Sequence, residues 1–187
     1  ILNTLRLENT NTSSTGVIFK GNDRFMHNYL NGTSYNTFLG INAGNFTLSN
    51  SSNNNTGIGH STLMSLTTGN YNTALGYSAM ELNSSGSQNT ALGYSVLELN
   101  TTGSQNTSVG GYSLRNNSTG FRNTAIGFFS LASNSSGYYN IAVGYFSLFN
   151  NSTGHSNTSV GYQSLLLNNG YSNTAVGRSS LSNNSGG

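Results

Sequence analysis

Apolar residues recur about every 17 residues through most of the chain, in a background of Asn, Ser, Thr and Gly. The segment NTALGYSAMELNSSGSQ (72–88) is followed at once by NTALGYSVLELNTTGSQ (89–105), and similar segments precede and follow this pair. A fixed period of this kind is the signature of a repeat architecture. We count nine units, the first of 19 residues and the eighth of 16, which begin at Asn36, Asn55, Asn72, Asn89, Asn106, Asn123, Asn140, Asn157 and Asn173.

The apolar residues hold the same places in every unit, counted from its Asn as position 1. Position 4 is aliphatic and position 5 is Gly in all nine units, and position 9 is Leu or Met in eight of them. Repeated Gly and clusters of Asn, Ser and Thr interrupt any helical pattern. Thr-Ala-Val-Gly-Tyr is instead typical of a short strand, and the Asn-x-Ser/Thr-Gly segment is typical of a turn. We therefore expect two short strands per unit, around positions 4 and 9.

Two short strands and two turns per unit predict an all-β fold, a parallel β-solenoid of about nine coils stacked ~4.8 Å apart. Stacking places like residues on like, so positions 4 and 9 should form two aliphatic columns inside the coil. Position 1 should form a column of Asn whose amides bond to one another along the axis. We place this solenoid domain at 36–187, after an entry or capping segment at 1–35 that holds half of the charged residues.

An aromatic stripe follows the Gly of position 5. Two inward aliphatic side chains per unit make a thin core, so a second packing surface is needed, and the stripe would supply it between chains of a homotrimer. The same stripe is the candidate glycan-contact surface of an adhesin. Its members are Tyr77, Tyr94, Tyr112, Phe128, Tyr145 and Tyr162.

Composition narrows the classes of protein. Charged residues are only 5% of the chain, against about 25% in ordinary globular proteins, but 11% aromatic content and fixed apolar positions argue against disorder. The net charge of +2 comes from scattered residues with no basic stripe, which excludes nucleic acid as an expected partner. No apolar run is long enough for a membrane-spanning helix, and cysteine is absent. The start at Ile1 without a leader predicts a processed product or a fragment.

Catalytic chemistry has little support in the residues. Glu81 and Glu98 share position 10 of adjacent units, about 5 Å apart if the coils stack, which is the separation of a retaining glycosidase pair. Arg115 holds the same position in the next unit, so a Glu-Glu-Arg row on an exposed edge is the simpler interpretation. The three histidines occupy unrelated positions, which supports neither a metal site nor a catalytic triad. We predict a protein that is not an enzyme and that holds no cofactor or metal.

Asn-x-Ser/Thr triplets are dense in the predicted turns. Glycosylation would make the chain a sugar-coated rod, if the turn asparagines are exposed. Turn-forming Asn, Ser and Thr also create such triplets by chance, which is the alternative. The turn candidates are Asn83, Asn100, Asn117, Asn134 and Asn151.

The N-T-A-[LIV]-G core at Asn72, Asn89, Asn123 and Asn173 resembles the head repeats of YadA-type trimeric autotransporter adhesins. It is even more similar to shaft repeats of tail-fibre-like proteins from phages and bacteria, and the segment 16–30 looks like the lead-in of such fibres. The resemblance covers about residues 16–187 and implies a left-handed parallel β-roll and a homotrimer on a cell surface or virion. Adhesin heads have shorter repeats and an apolar residue where this chain has Thr at position 2, a departure that bears on the core.

These observations lead to a structural hypothesis. The chain is predicted to be the shaft of an extracellular, cell-surface or virion fibre that self-associates as a homotrimer, end to end as a filament, or both. The alternative is an adhesin that binds surface glycans through the aromatic stripe. A third hypothesis, ice binding, requires the Thr of position 2 to face outward in a flat array.

Overall fold

The computed structural model describes residues 17–20, 23–27, 35–45, 48 and 52–184, and these residues contain no helix. Every strand belongs to a single 11-stranded sheet whose spatial order is the order of the sequence. A hairpin of two longer strands precedes nine strands of three residues each. The strands are β1 (Val17–Lys20), β2 (Asp23–His27), β3 (Thr37–Leu39), β4 (Thr56–Ile58), β5 (Thr73–Leu75), β6 (Thr90–Leu92), β7 (Thr107–Val109), β8 (Thr124–Ile126), β9 (Ile141–Val143), β10 (Thr158–Val160) and β11 (Thr174–Val176).

Strands β3 to β11 pair in parallel, with each residue opposite the residue at the same position of the next unit. Thr73 lies opposite Thr90, for example, and Leu75 lies opposite Leu92. Nine such strands bound eight turns, about 38 Å of rod at ~4.8 Å per step. The predicted parallel β-solenoid is therefore confirmed, whereas its left-handed sense and the trimer stay predictions.

The N-terminal hairpin lies against the first coil. Strand β2 pairs antiparallel with β3, with Met26 opposite Leu39, and β1 pairs antiparallel with β2 on the outer side. The hairpin of β1 and β2 therefore extends the sheet beyond β3, whereas the capping role of residues 1–35 and the domain boundary stay predictions.

Position 3, not position 4, faces the inside of the coil. Side chains alternate along a strand, so the residue at position 3 is buried in every coil while its neighbours at positions 2 and 4 face outward. This residue is Phe38 in the first coil and Gly, Ala or Ser in the other eight. The prediction of a buried position 4 column is wrong: Ile58 is 38% exposed, Leu75 47% and Val176 69%. The outward direction of position 2 also explains the Thr that departs from the adhesin pattern, because this Thr does not enter the core.

The position 9 column is buried, as predicted. Its members from the second to the eighth coil have no exposed surface, whereas Leu181, in the last described coil, is half exposed. The surrounding segment is nevertheless not a strand, so the prediction of a second strand is wrong. The buried members are Leu63, Met80, Leu97, Leu114, Leu131, Leu148 and Leu165.

Alternating backbone conformations replace that second strand. Residues at positions 7 and 9 have φ near +50°, as at Tyr112 (+56°) and Leu114 (+49°), where a non-glycine residue costs about 1–2 kcal/mol. The backbone still bonds from coil to coil, since the N–H of Leu114 donates to the carbonyl of Ser130 at 3.0 Å. The hydrogen bonds between coils hold each segment in a conformation that local sequence preference disfavours.

Glycine at position 5 is required by the close approach of successive coils. Gly76 has φ +136°, and a Cβ atom there would lie 2.1 Å from the carbonyl oxygen of Gly93 in the next coil. The position 5 column therefore excludes side chains from Gly40 to Gly161, whereas Gly177, in the last coil, has open space beside it and keeps only the positive φ of +120°.

Two ladders of buried asparagine amides run along the axis. At position 1, Asn106 Nδ2 donates to Asn89 Oδ1 (3.1 Å) and to the Gly120 carbonyl (2.9 Å), and its Oδ1 accepts from the next Asn. The predicted Asn column is thereby confirmed. A second ladder, which sequence analysis did not predict, lies at position 12, where Asn117 Nδ2 donates to Asn100 Oδ1 at 2.7 Å.

The 16-residue coil that begins at Asn157 lacks one residue of the turn after position 12. In a regular coil, the N–H groups of residues 118–120 donate to the Ser135 carbonyl of the next coil. The N–H groups of residues 152–154 donate instead to Asn169 Oδ1, at 2.8, 2.9 and 3.4 Å. The side-chain oxygen of Asn169 therefore accepts the three hydrogen bonds that a backbone carbonyl accepts in a regular coil.

The replacement interrupts the position 12 ladder. Asn151 Oδ1 and Asn168 Nδ2, which would bond to each other in a regular pair of coils, are both buried without a hydrogen-bond partner. Unsatisfied buried polar atoms cost roughly 1–3 kcal/mol each. This junction is therefore a weak point in an otherwise continuous stack.

Candidate functional site

The outer surface of the parallel sheet is a uniform face of two columns, which we name the sheet face: the side chains at positions 2 and 4 of β3 to β11. Neither position carries a charged residue in any of the nine strands. Strand pairing keeps both columns in register along the rod. Position 2 contributes Thr37, Thr56, Thr73, Thr90, Thr107, Thr124, Ile141, Thr158 and Thr174, and position 4 contributes Leu39, Ile58, Leu75, Leu92, Val109, Ile126, Val143, Val160 and Val176.

The predicted aromatic stripe forms a stacked column beside the sheet face, which we name the Tyr/Phe column. Tyr77 and Tyr94 stack with ring centroids 5.1 Å apart and 7° between planes, and Tyr145 and Tyr162 stack at 5.4 Å and 4°. Phe128 stacks below Tyr145 at 5.7 Å. These five rings are 42–49% exposed, so the structure places five of the six predicted residues in one outward column.

Tyr112 is the sixth predicted residue and stands one position further on, because Gly111 occupies position 6 of its coil. Its ring stacks on Phe129 (4.8 Å, 10°) and meets Tyr94 edge-on (5.1 Å, 69°). Partial desolvation raises the pKa of the Tyr112 phenol, and a hydrogen bond with Tyr94 adds to the rise. The column therefore shifts sideways at Gly111 but remains continuous.

Stacking covers both faces of Tyr77, which lies between His60 and Tyr94, and both faces of Tyr145, which lies between Phe128 and Tyr162. The guanidinium of Arg178 lies 5.5 Å from the Tyr162 centroid. A sugar ring that packs on an aromatic side chain needs an uncovered face. The glycan-binding hypothesis therefore gains no specific structural support from this column.

A second aromatic column, which sequence analysis missed, lies at position 16 of the later coils and at the equivalent position 15 of the 16-residue coil. Phe121 and Tyr138 stack at 5.0 Å and 1°, Tyr138 and His155 at 4.7 Å and 9°, and His155 and Tyr171 at 5.3 Å and 13°. The signal was weak because position 16 of the earlier coils is Asn or Ser. His155, which had no evident partner in the sequence, is the third ring of this stack.

The predicted row of charges is present between Glu98 and Arg115. Arg115 Nε donates to Glu98 Oε2 at 2.8 Å, with the two side chains 40% and 20% exposed. This hydrogen bond raises the pKa of Arg115, so the guanidinium stays charged. An ion pair this exposed contributes roughly 0–1 kcal/mol to stability. Among the described residues, no group of three or more His, Cys, Asp and Glu side chains could hold a metal ion.

The five predicted glycosylation sites lie in the position 12 ladder and are fully buried. The expectation that these turn asparagines are exposed is wrong. Nδ2, the atom that would carry a sugar, donates to a Gly carbonyl at every one of these sites and, except at Asn83, also to the Asn of the preceding coil. Asn134 Nδ2 makes these bonds at 3.1 Å and 2.7 Å. Asn83, Asn100, Asn117, Asn134 and Asn151 thus serve the interior of the fold.

Comparison with known proteins identifies no relative. No protein-family model matches the chain, and neither a curated protein nor a solved structure is significantly similar to it. Within the described ranges, no helix is long and apolar enough to cross a membrane. The architecture itself defines the class: the chain is a β-solenoid repeat protein.

Proposed function

We propose that the chain is a structural shaft module of an extracellular or virion surface fibre, in which copies associate side by side through the sheet face. The observation that carries this proposal is the outward position 4 column. These aliphatic side chains complete no core within the chain, yet they form a continuous stripe along all nine coils. Contiguous apolar surface of this kind usually marks an interaction site.

The sheet face suits a second copy of the same chain better than it suits an unrelated partner. Its composition is nearly constant from the first coil to the last, whereas position 10 changes from Met and Glu to Arg, Ala and Phe along the rod. Identical rods aligned in parallel would present matching stripes at the same ~4.8 Å repeat. Neither column carries a charge that would have to be desolvated or paired.

Shape supports the same proposal. Each coil contacts only its neighbours along the axis, as expected of a solenoid whose length scales with the number of repeats. A rod of this kind sets distance and resists bending, which is the task of a shaft. Three copies is the number that the resemblance to fibre repeats implies, and location on a cell surface or virion follows from the same resemblance. End-to-end growth stays a prediction.

Sedimentation equilibrium with two matched variants tests the interface. Leu75 on the sheet face and Leu82 on another side belong to the same coil and are 47% and 41% exposed. We expect the wild-type protein to sediment as a trimer, Leu75→Lys to sediment as a single chain, and Leu82→Lys to behave as the wild type. A wild-type protein that remains a single chain at high concentration would contradict the proposal, as would equal effects of both substitutions.

A further inference from the structure

We propose that the stacked tyrosines of the Tyr/Phe column are sites of oxidative cross-linking, where peroxide and a one-electron peroxidase join neighbouring coils through dityrosine. The two pairs are Tyr145–Tyr162 and Tyr77–Tyr94. The geometry exists within one chain, so this modification does not depend on side-by-side association.

The two rings of each pair are held together and are accessible. The centroids of Tyr145 and Tyr162 lie 5.4 Å apart with nearly parallel planes, and both rings are more than 40% exposed. Strand pairing between β9 and β10 fixes the backbone next to both residues in register. The two phenols are already neighbours, so coupling needs only a local rotation of the two side chains, and a small oxidant can reach both.

The chemistry balances with hydrogen peroxide as the two-electron oxidant. The peroxidase removes one electron and one proton from each phenol, which leaves two phenoxyl radicals with spin density on the Cε carbons beside the hydroxyl. A Cε–Cε bond forms between the radicals, and loss of the two ring hydrogens to the phenoxyl oxygens restores both phenols. The net change is two tyrosines and one H2O2 giving one dityrosine and two H2O, so the chain loses two hydrogen atoms.

Neighbouring residues make Tyr145–Tyr162 the cleaner of the two pairs. Phe128 lies on one side of it and Arg178 on the other, and neither can couple. Tyr94, in contrast, has Tyr77 stacked on one side and Tyr112 edge-on at 5.1 Å on the other. Coupling at Tyr94 is therefore expected to divide between two partners.

Two other tyrosines serve as internal controls because their columns offer no tyrosine in the adjacent coil. Tyr171 is 59% exposed and stacks on His155. Tyr71 is 61% exposed, but the same position of the next coil is Gln88. If exposure alone determined which tyrosines couple, Tyr171 and Tyr71 would form dityrosine most readily. If stacking determines it, Tyr145 and Tyr162 couple instead.

A cross-link of this kind would join coils covalently in a chain that contains no cysteine. Dityrosine between Tyr145 and Tyr162 closes a loop of one coil, so the linked coils cannot separate when the solenoid is pulled or heated. The modification would give a fibre the resistance that disulfides give to other secreted proteins.

The test is peroxidase and hydrogen peroxide treatment of the dilute full-length protein, followed by intact mass and peptide mapping. We expect a loss of two hydrogens per link and a Tyr145–Tyr162 peptide that is absent in Tyr145→Phe and retained in Tyr171→Phe. The same treatment in urea is expected to lose this selectivity. Repeating the peroxidase treatment on Leu75→Lys tests whether the cross-link depends on side-by-side association. The Tyr145–Tyr162 peptide should still form in this variant, because both tyrosines belong to the same chain.

Three results would overturn the proposal. One is the absence of dityrosine in the folded protein under conditions that oxidise exposed tyrosines. Another is cross-linking only between separate chains, seen as a doubled mass. The third is linkage through Tyr171 or Tyr71 as often as through the Tyr145–Tyr162 pair.

Discussion

Replacing Asn106 by Ala is the sharpest test of the buried amide ladder. Asn106 makes four side-chain hydrogen bonds: Nδ2 donates to Asn89 Oδ1 and the Gly120 carbonyl, and Oδ1 accepts from the N–H and the Nδ2 of Asn123. The side chain is fully buried. No water can therefore replace these bonds without entering the coil.

The expected cost follows from what each partner retains. Asn89 Oδ1 still accepts from the Asn106 N–H, the Gly120 carbonyl from Asn117 Nδ2, and Asn123 Nδ2 still donates to the Gly137 carbonyl. The N–H of Asn123 loses its acceptor in the buried interior. One orphaned donor at ~1–3 kcal/mol and three weakened partners at roughly 0.5–1 kcal/mol each give a loss of about 2.5–6 kcal/mol in the free energy of unfolding.

Urea unfolding followed by far-ultraviolet circular dichroism measures this loss. The matched control is Asn116→Ala in the same coil, because Asn116 is exposed and keeps its backbone bond to the Ala132 carbonyl. We expect the control to change the unfolding free energy by no more than about 0.5 kcal/mol, as at ordinary surface sites. A loss at Asn106 below about 1 kcal/mol, or equal to that of the control, would refute the role of the ladder.

Two further substitutions and one insertion test other features of the stack. Gly127→Ala should destabilise by at least about 2 kcal/mol, because Gly127 has φ +132° and a new Cβ would lie 2.5 Å from the Gly144 carbonyl oxygen. The matched control is Gly111→Ala, whose new Cβ would meet only the Phe128 ring at 3.2 Å. In the same urea titration, this control should lose less unfolding free energy. Equal losses at the two glycines would contradict the close approach of the coils. Inserting Ser between Asn168 and Asn169 should stabilise by about 1–2 kcal/mol, since it restores the regular turn and gives Asn151 Oδ1 and Asn168 Nδ2 their partners. Calorimetric melting measures this gain, and a lower melting temperature than wild type would count against it.

The repeat and the axial stacking could be predicted from the sequence because like residues recur at equal spacing. Position 9 and the position 1 asparagines were placed correctly for this reason. The direction of the position 4 side chains could not be predicted as easily, because position 3 holds Ala or Ser in most coils, and Ala-Leu in a short strand does not reveal which residue faces inward. The small residue is inside since the position 9 Leu fills most of a narrow coil.

The remaining errors share a physical cause. Sequence preference describes local conformation, but residues such as Leu114 and Tyr112 have positive φ because hydrogen bonds between coils impose it. Asn117 is similarly typical of an exposed turn, yet its amide is fully buried by the coils above and below. In a solenoid, neighbouring coils determine the environment of a residue more than its own segment does.

Pairs of spin labels on exposed turn residues measure the central claim, that residues one repeat apart lie one coil apart. Ser85 and Thr153 are exposed at the same position of coils four steps apart, and the chain has no native cysteine to interfere with labelling. Electron–electron dipolar spectroscopy should give a narrow distribution near 19 Å, four steps of about 4.8 Å. Moving the first label from Ser85 to Thr68 should lengthen the distance by one step of ~4.8 Å. A broad distribution, or a distance that does not grow by one step, would contradict the stacked-coil structure.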